Sequence, residues 1–273
     1  QDVTGPMGRS VTDVVVLLTA MTGVDANDPV TQDAAALAGF DFTRSLTAQA
    51  AAAVRVGVVL QSDEAIEHLI AEMEIGAERV AAVRQALHEN RETQRQAGRS
   101  FRALGLAVVE IDAAVLPVEL EVVPALTYGF RDAINRFLAA VGDRAGVASL
   151  DAIIERNAAD PANRAPYGQS HLLASRDCTL DAAEYLAIRE NNRRAAREGL
   201  RRVLADHKVD VLISDVAQLY APAGFPAISV PAGYAANGQP VDITMVADFL
   251  GEPALIAAAF AFEQATQARR APD

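Results

Sequence analysis

Residues 224–233, Gly-Phe-Pro-Ala-Ile-Ser-Val-Pro-Ala-Gly, constrain the fold of this chain more than any other stretch. Ala227 to Val230 is a short apolar, β-branched run, and Pro226 and Pro231 bracket it. Proline is accommodated at the start or edge of a strand but not in its middle, so the run reads as a short strand with defined ends. Asn237-Gly238 follows and suits the positive φ angles of a tight hairpin turn. Val241, Ile243 and Met245 then alternate with Asp242 and Thr244, the period of a strand with one buried face. The stretch therefore predicts an antiparallel hairpin that needs a sheet to join.

The rest of the chain can supply one. At 273 residues it is long enough for a sizeable core, and its 51% hydrophobic and 22% charged residues are those of a globular protein. A net charge of −12 argues against nucleic acid or an anionic membrane as partner. No run approaches the ~20 apolar residues of a membrane span. A single cysteine, Cys178, excludes an internal disulfide and an all-cysteine metal site. The chain opens on Gln1, inside a motif, so an upstream targeting segment stays open; a cytoplasmic location is expected.

Ser10 is a good N-cap with Asp13 three residues on, and Val11, Val14, Val15, Leu18 and Met21 share one face of the helix that follows. Asp25-Ala26-Asn27-Asp28-Pro29 is acidic but lacks the register of a calcium loop, and reads as a solvated turn. Strands are expected at Val54–Leu60, Ala107–Asp112 and Val209–Ile213. Helices are expected after Ser62, over 77–100 with a solvated charged face from Arg84 to Arg99, and over Pro124–Val141. Others are expected over Asp151–Asn157, from a Thr179 cap to about Asp206, and over Glu252–Gln267. Strand–helix–strand order implies an α/β unit with a right-handed crossover. The basic cluster Arg193, Arg194, Arg197, Arg201 and Arg202 is interleaved with Glu190 and Glu198 and reads as an ion-paired surface.

Two motifs carry a resemblance to a known family. The strand signature 224–233 looks like the C-terminal signature of the amidase signature enzymes, serine hydrolases that cleave amides through a Ser–cis-Ser–Lys triad. Asp2-Val3-Thr4-Gly5-Pro6-Met7-Gly8-Arg9-Ser10-Val11 resembles the Asp-Thr-x-Gly-Pro-Met-Ala-Arg-Thr/Ser-Val segment that follows their catalytic core. Val3 stands in place of Thr and Gly8 in place of Ala. More coarsely, Tyr128-Gly129-Phe130-Arg131 followed by Ile134 to Leu138 resembles the family's Tyr-Glu-Phe…Leu-Asn-x-Tyr-Leu helix, with Gly129 where Glu is usual. Asp242 replaces Gly, and Ala247-Asp248 replaces Gly-Arg. The resemblance implies the amidase signature fold, a mixed α/β sheet flanked by helices, with residues 1–273 as one C-terminal part of such a domain.

It also implies chemistry that these residues do not contain. A serine nucleophile must be activated by a neighbouring base, and a lysine base must be neutral, which needs burial. The only lysine, Lys208, stands at a helix–strand join, far from where the family's catalytic lysine lies, and no serine has a Gly-Ser-Ser-Gly context. His68, His88, His171 and His207 are scattered and form no metal-binding pair. No catalytic residue, metal ligand or cofactor site is therefore assigned. The segment from Asp215 to Ala223, without the Pro-Thr pair of many members, falls where the family lines its acyl and leaving-group site. Gln218, Tyr220 and Phe225 are the candidate substrate contacts, with Tyr128 and Phe130 beside them, and core packing is the competing role for each.

The implied function is part of a hydrolase of amides, aryl amides or carbamates (a urethanase-like activity included), working through an acyl-enzyme without cofactor. Its partners would be the small-molecule substrate and the N-terminal part of the same enzyme, and the chain alone is expected to be inactive. A non-catalytic scaffold that packs against a partner chain stays open as the alternative. Separated from an N-terminal half, the strands beginning near Val54, Ala107, Val209 and Ala227 are expected to be short of neighbours.

Overall fold

The structure, a computed structural model, describes residues 5–73, 75–116, 120–214, 217–235 and 237–271, and the side chains of Ala217 and Gln218 lie outside that set. Asp2, Val3 and Thr4 of the N-terminal motif, and Asp215 and Val216, lie outside the described residues as well. The elements in chain order are α1 (Val11–Met21), α2 (Ala48–Ala52), β1 (Arg55–Leu60), α3 (Asp63–Glu72), α4 (Ala77–Ala103), β2 (Ala107–Asp112), α5 (Val122–Val141), α6 (Leu150–Ala159), α7 (Pro161–Arg164), α8 (Ser170–Arg176), α9 (Ala182–His207), β3 (Val211–Ile213), α10 (Ala217–Ala223), β4 (Ala227–Tyr234), β5 (Pro240–Ala247) and α11 (Glu252–Thr266). They fall into two compact units: a larger one of 2–118 with 196–273, and a smaller one of 119–195, the division falling inside α9. No helix among the described residues is long and apolar enough to cross a membrane.

The larger unit is built on a mixed sheet in the order β2-β1-β3-β5-β4. β1 pairs in parallel with β2 and with β3, whereas β5 is antiparallel to both β3 and β4. The β1–β2 connection runs through α3 and α4, as a parallel pair requires. On one face Val56, Val58, Val211, Ile213, Ile243 and Met245 meet Phe101 of α4 and Phe262 of α11. On the other, Leu212, Val59 and Val246 are equally buried. Gly57 lies in the middle of β1 because a Cβ there would sit 2.7 Å from Ile111 Cδ1 and 2.9 Å from Leu212 Cδ2. The sheet corrects one expectation: β1 and β3 are paired on both sides, so among the described residues β2 and β4 form the edges.

Three local expectations also change. The charged stretch of α4 is solvated only in part. Arg84 pairs with Glu67, Arg91 with Asp63, and Arg95 and Arg99 with Glu92, but Gln94, Ala97, Gly98 and Phe101 are buried. A 27-residue helix has room for both faces, and a charge count along the sequence sees only one. The cap of α9 is Asp181 and not Thr179. Its carboxylate accepts from the Ala183 and Glu184 N–H groups at 2.8 and 2.9 Å, and Glu184 accepts from the Asp181 N–H at 2.9 Å, a reciprocal capping box. In the β4–β5 hairpin Tyr234 faces Pro240, so the connection is longer than a two-residue turn. Gly238 has φ +84°, and the Asn237 side-chain carbonyl accepts from the Gln239 N–H at 3.0 Å.

In the smaller unit α5 packs on α6 and α8 around Ala125, Leu138, Leu150 and Ile154. Side-chain amides tie its backbone together. Asn135 accepts from the Leu150 N–H at 2.9 Å, and the buried Asn192 both accepts from the Glu121 N–H (2.9 Å) and donates to its carbonyl (3.0 Å).

Candidate functional site

The two stretches that carry the resemblance, near opposite ends of the sequence, come together on the larger unit. Gly8, Ser10 and Val14 at the start of α1 and Val230, Pro231 and Tyr234 of β4 line one cavity of about 780 Å³. Its α1 wall is fixed by a capping box, in which the Asp13 N–H donates to Ser10 Oγ and the Ser10 N–H donates to Asp13 Oδ2, both at 3.1 Å. Glu263 of α11 adds a carboxylate oxygen to the Val11 N–H at 2.8 Å, using another of the helix's unpaired donors. On β4, Ser229 Oγ and Thr244 Oγ1 share a hydrogen bond of 2.8 Å across the hairpin. Arg270 stacks 4.8 Å over the Tyr234 ring and donates its N–H to that hydroxyl. Sequence reasoning missed Glu263 and Arg270, since nothing along the chain links the end of α11 to α1.

Among the candidate substrate contacts of the larger unit, Tyr220 and Phe225 do not line this cavity. Gln218 and Tyr220 belong to α10; the Gln218 side chain is outside the described residues, and Tyr220 is half-buried. α10 ends at Gly224, whose φ of +68° reverses the chain into β4. That turn is closed by the Phe225 N–H donating to the Tyr220 carbonyl at 3.0 Å. Phe225 is 5% exposed and carries the guanidinium groups of Arg197 and Arg201 over its ring at 6.0 and 5.7 Å. Its side chain thus has the surroundings of a packing residue. Tyr128 and Phe130 lie on α5 in the smaller unit. Tyr128 stacks on Tyr185 at 4.5 Å between ring centres, with Arg131 over the first ring and Arg189 over the second. Phe130 is 42% exposed. Gly129 has no steric need to be glycine, because a Cβ there would meet the Tyr185 hydroxyl at an ordinary 3.5 Å.

The groups that could do acid–base or metal chemistry are dispersed. Lys208 occupies a left-handed turn (φ +53°) after α9 and is exposed, without the burial on which a neutral lysine base depends. His68 lies beside Glu72, His88 beside Arg91 and Asp63, and His171 and His207 at helix ends. Among the described residues no three His, Cys, Asp or Glu side chains form a metal-binding group. Arg91 beside Asp63 and Arg84 beside Glu67 hold those exposed carboxyls below their usual range. Glu252, at the start of α11, is the exception in sign among these carboxyls: burial pushes its carboxyl up, and its Oε2 has no hydrogen-bond partner among the described residues.

No family model matches the chain. A probable amidase of Arabidopsis thaliana is 27% identical over 278 residues, covering 100% of this chain and 50% of that protein. Among solved structures, an amidase family protein from Bacillus anthracis str. Ames superposes with a TM-score of 0.78 at 26% identity, over 98% of this chain and 49% of that one. A native peptide amidase from Stenotrophomonas maltophilia gives a TM-score of 0.76 at 27% identity, over 98% and 54%. The fold is that of the amidase signature enzymes. The chain spans about half the length of the relatives it matches. Within this fold the α1 motif and the β4 signature are the two walls of the cavity described above.

Proposed function

We propose that the chain is the C-terminal part of a serine hydrolase that cleaves the C–N bond of an amide, aryl amide or carbamate through an acyl-enzyme, with the serine nucleophile and lysine base supplied outside residues 1–273. One observation carries this reading: the chain resembles amidases along nearly its whole length while spanning about half of theirs. The exposed position of Lys208 supports it, since a nucleophile and its base must be held together and desolvated. These residues then contribute substrate-pocket wall, with Gln218, Tyr220, Phe225, Tyr128 and Phe130 as the proposed contacts. The partners are the small-molecule substrate and the rest of the same enzyme, and no cofactor is needed.

The test is hydrolysis of p-nitroacetanilide and p-nitrophenyl acetate by residues 1–273 alone and by the same residues joined to the upstream sequence. Turnover confined to the joined protein, and abolished by replacing an upstream serine, is the expected result. Turnover by residues 1–273 alone sinks the assignment of the nucleophile. No turnover by either, with the fold intact, favours the scaffold alternative.

A further inference from the structure

Arg197 breaks the pattern that its sequence neighbourhood sets. Arg193 pairs with Glu190 at 3.2 Å as an interleaved surface would have it. Arg201 instead reaches Asp248, donating from Nε to both carboxylate oxygens at 2.9 and 3.1 Å. Arg197 has no carboxylate partner among the described residues. Its Nε donates to the Ala223 carbonyl at 3.0 Å, and its guanidinium faces the rings of Phe225 at 6.0 Å and Phe249 at 4.9 Å.

We propose that Arg197 is a positioning residue that clamps the turn from α10 into β4 and so sets the place of Tyr220. α10 is a seven-residue helix with Pro222 inside it, too short and too interrupted to define its own end. The carbonyls of its last turn need donors from elsewhere. Arg197 supplies one at Ala223, the residue before the left-handed Gly224. The same turn is closed by the Gly224 N–H on the Ala221 carbonyl (3.1 Å) and the Phe225 N–H on the Tyr220 carbonyl (3.0 Å), so fixing Ala223 and Phe225 fixes the backbone of Tyr220. The guanidinium is held in turn. Phe249 is anchored where its own N–H donates to Asp248, and Asp248 is the residue that Arg201 grips. A planar, always-charged fork that donates at one edge and stacks on its face suits this position, and lysine does not. That Tyr220 meets substrate rests on the function proposed above; the clamp itself does not.

Arg197→Ala and Arg197→Lys in the full-length protein test both links separately. Amide hydrogen exchange at Gly224 and Phe225 should rise about tenfold or more in Arg197→Ala, with β1 and α11 amides unchanged, since the opening is local. Methylguanidinium should restore protection in Arg197→Ala, and Arg197→Lys should restore little. Unchanged exchange at Gly224 and Phe225, or a rise spread evenly over the sheet, overturns the clamp. With an amide substrate, Arg197→Ala should raise KM and leave kcat nearly intact. Raised local exchange with unchanged KM keeps the clamp and overturns the reading of Tyr220 as a substrate contact.

Discussion

The larger and smaller units solve the problem of holding a chain together in different ways. In the larger, a sheet buried on both faces brings Phe42, Phe101, Phe262, Ile66, Leu212 and Met245 to essentially zero exposure. In the smaller, the buried apolar residues are Ala125, Leu138, Leu150 and Ile154, while Val123, Leu126, Phe130, Phe137, Tyr167 and Leu186 stay exposed. What the smaller unit lacks in core it replaces with polar ties: Asn192 on Glu121, Asn135 on Leu150, Arg131 on the Cys178 carbonyl. Apolar burial grows with packed area, whereas each hydrogen bond contributes about 1 kcal/mol net. The smaller unit should therefore open at lower free energy than the larger.

Phe262→Ala is the largest expected effect. Its ring stacks on Phe101 at 5.4 Å in the centre of the larger unit, and removing it should cost about 3–5 kcal/mol. Urea denaturation followed by hydrogen exchange should show the loss in the sheet strands, with α5 and α6 amides already exchanging faster in the unmutated protein. Equal protection of both regions before mutation would break the comparison.

Asn192→Ala tests the polar ties. It leaves the N–H and the carbonyl of Glu121 without their buried partner and should cost about 1–3 kcal/mol, less than the ring deletion. The loss should appear in α5 and the first half of α9 and leave β1 protection unchanged. A global loss of the size seen for Phe262→Ala would mean that the smaller unit is not an independent opening unit.

How much of this was legible along the chain follows the same division. The hairpin 224–247, the α1 capping box and the strands Ala107–Asp112 and Val54–Leu60 are local: proline positions, a Ser-x-x-Asp spacing and β-branched runs report them directly. Gly57 and Gly98 gave no such signal. Their smallness answers to residues on other elements: a Cβ at Gly98 would lie 3.0 Å from Val58, and one at Gly57 2.7 Å from Ile111. Arg197 and Arg201 misled because helical spacing offered Glu198 and Glu190, while Ala223 and Asp248 lie far along the sequence. The cavity between α1 and β4 was half-legible. Its two walls were singled out separately, but the tie that joins α1 to α11, Glu263 on Val11, has no sequence signature.

Glu252 gives the smallest effect and the one with a sign to check. It stands in the first turn of α11, where Gly251 offers no side-chain cap, and a carboxylate there gains from the helix dipole. Burial nevertheless dominates and raises its pKa, with its own backbone N–H acting the other way, and Oε2 has no partner among the described residues. An acid whose folded pKa lies above its unfolded value keeps a proton that the unfolded chain releases. Stability must then fall as pH rises through that window and stay lower above it. Glu252→Gln removes the titration, so it should stabilise the larger unit at pH 8 by up to about 1 kcal/mol, discounted for partial exposure and the lost dipole interaction. Below the ordinary glutamate range the gain should vanish. Urea midpoints of wild type and variant at pH 8 and at acidic pH measure it. The same gain at both pH values would mean that the amide repacks the site, and a gain confined to α5 and α6 would place the effect in the wrong unit.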